Sequence, residues 1–507
     1  MNLLTRIAIP LLAVALAAGC RESPDAQFDR AQASYAARDF EAARIAVSAA
    51  LRDEPTNRDM LALLARIQLN LGDADAADGA LRRLMATGAK GPEIRIMLAE
   101  LALLRKQPDE ALKLAASSTS TDSWRIRAGA YLQLGEQDKA ADAFEQGMAA
   151  GNDIRLATDY ARFRLQADDA PGAAAIYQRM QAMAPDAYET QVLAGDLAVA
   201  RGQTQDAITA YRTVTRNFPG RIAPYLALAS QLDLQGKVDA AMAEVEKAEK
   251  LGSGNVDVQT LKIQLLSEKG EWQKIRDALQ GQEGDLEPGS GLGMTYAEAL
   301  LRLGHPEQAR VLFARAVLVL PGNPYAAMML GEAQLATGDA ASAWATLRPL
   351  AESTLADARL LELAEKAARA SGDPEADRLR DRLQPQRLKA VQALVGQGQA
   401  ALIRQDWNAA IPIYERLLGA GPDPEVLKRL AFASSKAGRG DAAIGYADRA
   451  LAMQPANAEY LHMAGLVRLN AGKDLPEALR YLQAAATADP RNADMQADLA
   501  KAKAVAG

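Results

Sequence analysis

Along this chain, polar residues interrupt apolar runs at helical rather than strand spacing. Between Leu61 and Leu71, Arg66, Gln68 and Asn70 break a leucine-rich run, the mark of a half-buried amphipathic helix. Such helices come in pairs, and the pattern returns about every 34 residues from Pro24 almost to Gly507. Small residues carry the register. Ala31, Ala43, Ala50 and Pro55 hold the places later taken by Gly195, Ala207, Val214 and Pro219, then by Ala297, Ala309, Ala316 and Pro321, then by Ala431, Ala443, Ala450 and Pro455.

Each recurring residue has a mechanical reason. Slim side chains at the eighth, twentieth and twenty-seventh places let two helices cross closely, and Tyr177, Tyr211, Phe313 and Tyr414 fill the space beside them. Glycines at Gly72, Gly135, Gly202, Gly236, Gly304, Gly338, Gly438 and Gly472 end the first helix of their units, because glycine takes a left-handed conformation without steric cost. The proline at place thirty-two closes the second helix. One hairpin cannot bury its apolar face alone, so each must stack on the next. Two units are worn: the one around Ile263 to Leu279 has Ile275 at the small twentieth place, and the one around Leu360 to Leu383 fits loosely. Leu475 and Pro476 imply a one-residue insertion before Ala478.

The clearest copy runs Trp124, Ala128, Tyr131, Gly135, Ala140, Phe144, and in this spacing the chain resembles the tetratricopeptide-repeat family over nearly all its length after the leader. The resemblance implies about thirteen or fourteen units in an all-α, right-handed superhelical solenoid of helix hairpins. It also implies that the first helix of each pair lines a concave face through its fifth, ninth and twelfth residues. Transferred by register, these are Phe28, Gln32 and Tyr35; Ala62, Arg66 and Leu69; Thr158, Arg162 and Leu165; and Val192, Asp196 and Val199. Later units place Met328, Glu332 and Leu335, then Lys428, Phe432 and Ser435, then His462, Leu466 and Leu469. A groove of mixed apolar and charged character suits an extended peptide or a partner helix. The same residues could instead pack against neighbouring hairpins. The lysine and asparagine clamp by which some members hold a C-terminal carboxylate is not reproduced.

The N-terminus carries a second signal. Arg6 precedes an apolar run from Ile7 to Ala18, too short to span a bilayer comfortably and suited to a signal-peptide core. Leu16-Ala17-Ala18-Gly19-Cys20 resembles a bacterial lipobox, although Ala17 stands where the leucine is preferred. The expectation is a leader over 1–19 and a lipidated tether over 20–23. Cys20 is the only cysteine, so it can form no internal disulfide; it is either the acylation site or an incidental cysteine after an ordinary signal or anchor. Arg21, where inner-membrane lipoproteins commonly carry aspartate, points to the outer membrane with the body in the periplasm.

Composition agrees with such a body: 49% hydrophobic but 5% aromatic, as alanine-rich helix pairing requires. The net charge is −6, so no basic field attracts nucleic acid or anionic lipid. Catalytic constellations are absent from the sequence. His305 and His462, the only histidines, lie in different repeats with no His or Cys companion at zinc spacing, and there is no Walker loop, Gly-x-Ser-x-Gly elbow or Cys-x-x-Cys. No cofactor or metal is expected, and an enzyme is not.

Two segments look like joints. Residues 281–291 combine helix breakers, forming either a hinge between an array over 24–280 and another over 292–507 or a long inter-repeat loop. Gly289, Gly291 and Gly293 mimic a dinucleotide fingerprint, but no strand precedes them. Ser117 to Ser123 reads as a polar loop capping a helix that starts near Trp124. The expected function is a scaffold that binds protein partners of an envelope assembly or export machine. From Cys20 to Asn57 the chain resembles repeat lipoproteins accompanying exopolysaccharide production and the exosortase system. Adaptors of pilus or adhesin secretion, adaptors of outer-membrane protein assembly, and a glycan- or peptidoglycan-processing enzyme stay open.

Overall fold

The computed structural model describes residues 22–419, 421–490 and 492–506. Cys20 and the leader before it lie outside the described residues. Twenty-nine helices, α1 to α29, run from Pro24 to Ala506: fourteen hairpins followed by one last helix, with no strand among the described residues. The chain is an all-α superhelical solenoid that divides into two compact units at Ser253/Gly254. Gly281 to Gly291 lies within the second unit.

The hairpin is set by three local devices. Asparagine at the last place of a unit caps the next first helix: the side chain of Asn57 accepts from the Asp59 and Met60 amides at 3.1 and 3.2 Å, and Asn457 does the same for Glu459 and Tyr460. At the fifteenth place the backbone turns left-handed in every hairpin, and glycine supplies this in ten of the fourteen; Arg38, Lys106, Asp168 and Gln405 take it without glycine's freedom. Aspartate then caps the second helix, as Asp39, Asp73, Asp169, Asp339 and Asp406 each accept from an amide three residues on.

The small places are buried as their spacing requires. Ala31, Ala43, Ala50, Ala207, Ala309, Ala443 and Ala478 have no exposed surface. At the eighth place the first helix leans on the side chain sixteen residues later: a Cβ on Gly195 would overlap the Tyr211 ring, and one on Gly331 would overlap Leu347. At Gly465 the obstructing residue is Leu482, at 2.6 Å and seventeen residues on. The extra residue is taken up in the turn, where Asp474 adopts a second left-handed conformation (φ 48°) after Gly472, and Ala478 returns to register.

In the worn units the second helices are cut to eight residues, Trp272–Leu279 and Glu375–Arg382, and Ile275 is fully buried. A third short second helix, Pro108–Ala115, was not foreseen in the sequence. The helix expected near Trp124 begins three residues earlier, at Thr121, because Ser120 caps it through the Ser123 amide. The glycines from Gly291 open a helix capped by Ser290. Glu283 accepts from Tyr296 at 2.8 Å and from the Gly281 amide, tying residues 281–283 to that helix.

The close crossing makes a measurable demand. Gly331→Leu has no room beside Leu347 and should lower stability by about 1–3 kcal/mol, read as a lower melting temperature by circular dichroism with the helical spectrum retained at low temperature. An unchanged melting temperature would count against the packing.

Candidate functional site

Successive first helices touch along the stack, as α1 (Pro24–Ala36), α3 (Arg58–Leu71), α5 (Pro92–Leu104), α7 (Thr121–Gln133), α9 (Ile154–Gln166) and α11 (Tyr188–Ala200) do in turn, more closely than second helices do. First helices therefore form the inner wall of the curve. In the N-terminal unit that wall encloses adjoining clefts of about 970 and 760 Å³.

At the centre of the wall stands Arg125, on α7. Its guanidinium meets Glu100 of α5 at 2.5 Å, Asp159 of α9 at 3.8 Å and Asp122 at 3.9 Å, and its side chain is only 12% exposed. Burial opposes its charge, and the three carboxylates outweigh burial and hold its pKa above the ordinary value. Arg155 also pairs with Asp122. Arg162 reaches Asp159 at 3.4 Å and keeps 65% of its side chain exposed, so it shares one carboxylate with Arg125 while facing the open groove. Burial pushes the Asp159 carboxyl above the usual carboxylate range despite these arginines.

Asp196 lines the same cleft. Burial raises its pKa, opposed by a 2.6 Å hydrogen bond donated by the Tyr211 hydroxyl. Tyr211 is the side chain against Gly195, so one residue both fills the helix crossing and holds a groove carboxylate. Arg66 pairs with Glu93 of the next repeat at 3.1 Å. Phe28 and Tyr35 are half-buried against the first core cluster, and Tyr35 accepts from the Asn70 amide at 3.3 Å.

In the C-terminal unit, hairpins well apart in sequence share a cleft of about 710 Å³, with Tyr325, Met328 and Leu360 on one side and Glu425, Lys428 and Glu459 on the other. The buried Asp423 links them, accepting from the Ser353 hydroxyl at 3.0 Å and the Thr354 amide. Glu332 is bracketed by Arg302 at 2.7 Å and Arg359 at 2.6 Å. Lys428 is held between Glu425 and Glu459, whose charges outweigh burial and raise its pKa. Phe432 stands edge-on to Trp407 with ring centroids 5.6 Å apart. His462 meets Asp498 of the last helix, α29 (Ala493–Ala506), at 3.0 Å.

The groove residues named from the register thus fall into two sets, one per unit. Arg66, Glu332, Lys428 and His462 are tied to neighbouring helices, and Arg162 is exposed, as are Gln32 and Val199. The sequence reading passed over Glu100 and Arg125, which hold the ninth and fifth places of the third and fourth units; the same register, carried through every unit, would have found them. Among the described residues no three His, Cys, Asp or Glu side chains are grouped to hold a metal, and no helix is long and apolar enough to cross a membrane.

An all-α stack with a polar inner groove defines the class: a repeat scaffold suited to protein–protein interaction. The tetratricopeptide-repeat profile matches residues 5–58, 192–256, 296–354 and 431–502, and the chain carries tetratricopeptide repeats there. No curated protein matches it. Similar solved structures include the APC/C hetero-tetramer Cut9–Hcn1, at 16% identity and a TM-score of 0.35, covering 94% of this chain and 96% of that one. A tetratricopeptide repeat protein from Parabacteroides merdae is 15% identical with a TM-score of 0.28, over 62% of this chain and all of that one. The C-terminal part of a repeat protein from Cytophaga hutchinsonii is 13% identical with a TM-score of 0.36, over 46% and 99%.

Two measurements probe the wall. Arg125→Leu would strand Glu100, Asp122 and Asp159 without their shared cation, and unfolding in urea should show a loss of about 3–5 kcal/mol. Asp196 has a raised pKa, so the folded chain holds its proton more tightly than the unfolded chain. The stability this supplies is fully present below about pH 4 and is lost as pH rises through the folded value. Asp196→Asn should therefore flatten the dependence of melting temperature on pH just above about pH 4, in part only, because Asp159 is shifted the same way.

Proposed function

We propose that this chain is a periplasm-facing scaffold, tethered to the outer membrane through lipid on Cys20, whose grooves bind protein partners of an envelope assembly or export machine. Exopolysaccharide export is the pathway proposed for it. The carrying observation is the inner wall of the N-terminal unit, where first helices of six successive repeats present charges beside apolar residues such as Leu165 and Val192. Such a wall offers a long polypeptide several contacts of moderate strength, and interface energy concentrates in a few arginine and aromatic positions. The tether rests on the sequence around Cys20, the sole cysteine and the end of a lipobox-like run. Several acyl chains, at about 0.8 kcal/mol per buried CH₂, would hold the protein at a bilayer surface.

Each half of this reading has its own test. Cys20→Ser should abolish acyl mass on the N-terminus and leave the chain unprocessed or released from outer-membrane fractions. A serine variant that fractionates like the wild type, with no acyl group on either, defeats the tether. Arg162→Ala and Phe432→Ala, made separately, should weaken crosslinking to export-machine proteins in intact envelopes while leaving helicity unchanged. Crosslinking that survives both changes, with normal polymer export in a strain lacking the gene, removes support for the scaffold in this pathway.

A further inference from the structure

The charges along the N-terminal groove are largely paired among themselves, and two departures from the repeat pattern bear on how that groove is held. The fifteenth place of a unit is glycine in most hairpins, yet the first hairpin carries Arg38 there at φ 58°. The residue before a first helix caps it through its side chain in most units, as Asn57 does, whereas Arg221 makes no side-chain cap for the helix it precedes. Each substitution forgoes a local benefit.

Both departures meet in space. Arg221 Nη2 donates to the Arg38 carbonyl at 2.7 Å across 183 residues of sequence. The Arg38 guanidinium pairs with Glu189 at 3.0 Å, and Glu189 is only 11% exposed. Aromatic rings back the pair: Arg38 lies over Phe40 at 5.6 Å, Arg221 over Tyr188 at 5.4 Å, and Tyr188 stands edge-on to Phe218 at 5.3 Å. The turn of the first hairpin is thereby fastened to the starts of the sixth and seventh first helices, and Arg38, Glu189 and Arg221 all line the larger cleft.

We propose that Arg38, Glu189 and Arg221 form a latch that closes the groove of the N-terminal unit and whose release opens it. This rests on the groove being the binding surface, but the latch can be tested without a partner. A stack of repeats held only by nearest-neighbour interfaces flexes along its length, and one contact between its first and sixth hairpins converts it into a ring. The contact is polar and partly solvated, so salt weakens it while the buried hairpin crossings are unaffected. A polypeptide entering the closed ring must thread from an end; with the latch open it can enter from the side.

The test uses the whole chain carrying Cys20→Ser, with spin labels on Glu41→Cys and Asp186→Cys, two exposed residues lining the latched cleft. Pulsed electron spin resonance at low salt should give one narrow distance distribution. Arg38→Gly combined with Glu189→Gln and Arg221→Ala should broaden it and shift it to longer distances. Glycine accepts the backbone geometry of residue 38, so helicity should be retained. About 1 M salt, where screening acts within about 3 Å, should do the same to the unaltered latch. A distribution unmoved by both treatments, or already broad at low salt, overturns the latch and leaves the groove's role as a binding surface untouched. Failure of Arg162→Ala to weaken partner crosslinking would count against the binding surface and leave the latch standing.

Discussion

Everything in this molecule depends on how closely two antiparallel helices can cross. The approach is permitted by small residues, mostly alanine or glycine, at three places in most units, and the residue opposite fills what remains: Leu347 against Gly331, Tyr211 against Gly195, Leu482 against Gly465. Interiors at crystal-like density do not absorb an added methyl group there without moving something. Because each hairpin buries its remaining apolar face only on its neighbours, the crossing sets the spacing of the stack as well as the shape of the unit. The last unit shows how strictly the crossing is kept: an inserted residue is pushed into the turn at Asp474, and Ala478 remains fully buried.

Curvature follows from the crossing, and electrostatics from curvature. First helices crowd together on the inner wall, so charges on neighbouring repeats come within pairing distance there. The result is a series of ion pairs between neighbouring repeats, Arg66 with Glu93, Glu100 with Arg125, Arg125 with Asp159, and later Glu332 with Arg359 and Lys428 with Glu459. The more buried of these supply orientation as much as energy, since removing one member leaves its partner uncompensated in a poorly solvated place. A groove wired in this way stays polar yet stiff. Arg162, which shares its carboxylate and remains largely exposed, keeps donor capacity for another molecule.

The raised pKa values of Asp159 and Asp196 arise from burial in the wall, and their partners are structural: an arginine already shared, and a tyrosine that also packs a crossing. Perturbed titration at such a place reports the cost of holding charge between helices. A scaffold with a groove of this kind gains specificity from shape and from which charges remain available.

The sequence alone determined the repeat, its register, the small crossing residues, the turn glycines and the insertion in the last unit, because all of these are local: a helix period, a left-handed turn and a steric limit recur within about 34 residues. It also carried the ion-pair wall, since pairs such as Glu100 with Arg125 join neighbouring units at spacings the register contains. Only the tertiary structure decided what depends on accumulated curvature. In the C-terminal unit Ser353 meets Asp423 across 70 residues, and in the N-terminal unit small rotations between successive hairpins add over six repeats, so that their sum brings Arg38 to Glu189 and Arg221. No single repeat encodes that sum. Residues that break the pattern, an arginine at a turn mostly held by glycine and another where a capping side chain mostly stands, look like wear until the contact between them shows what they hold.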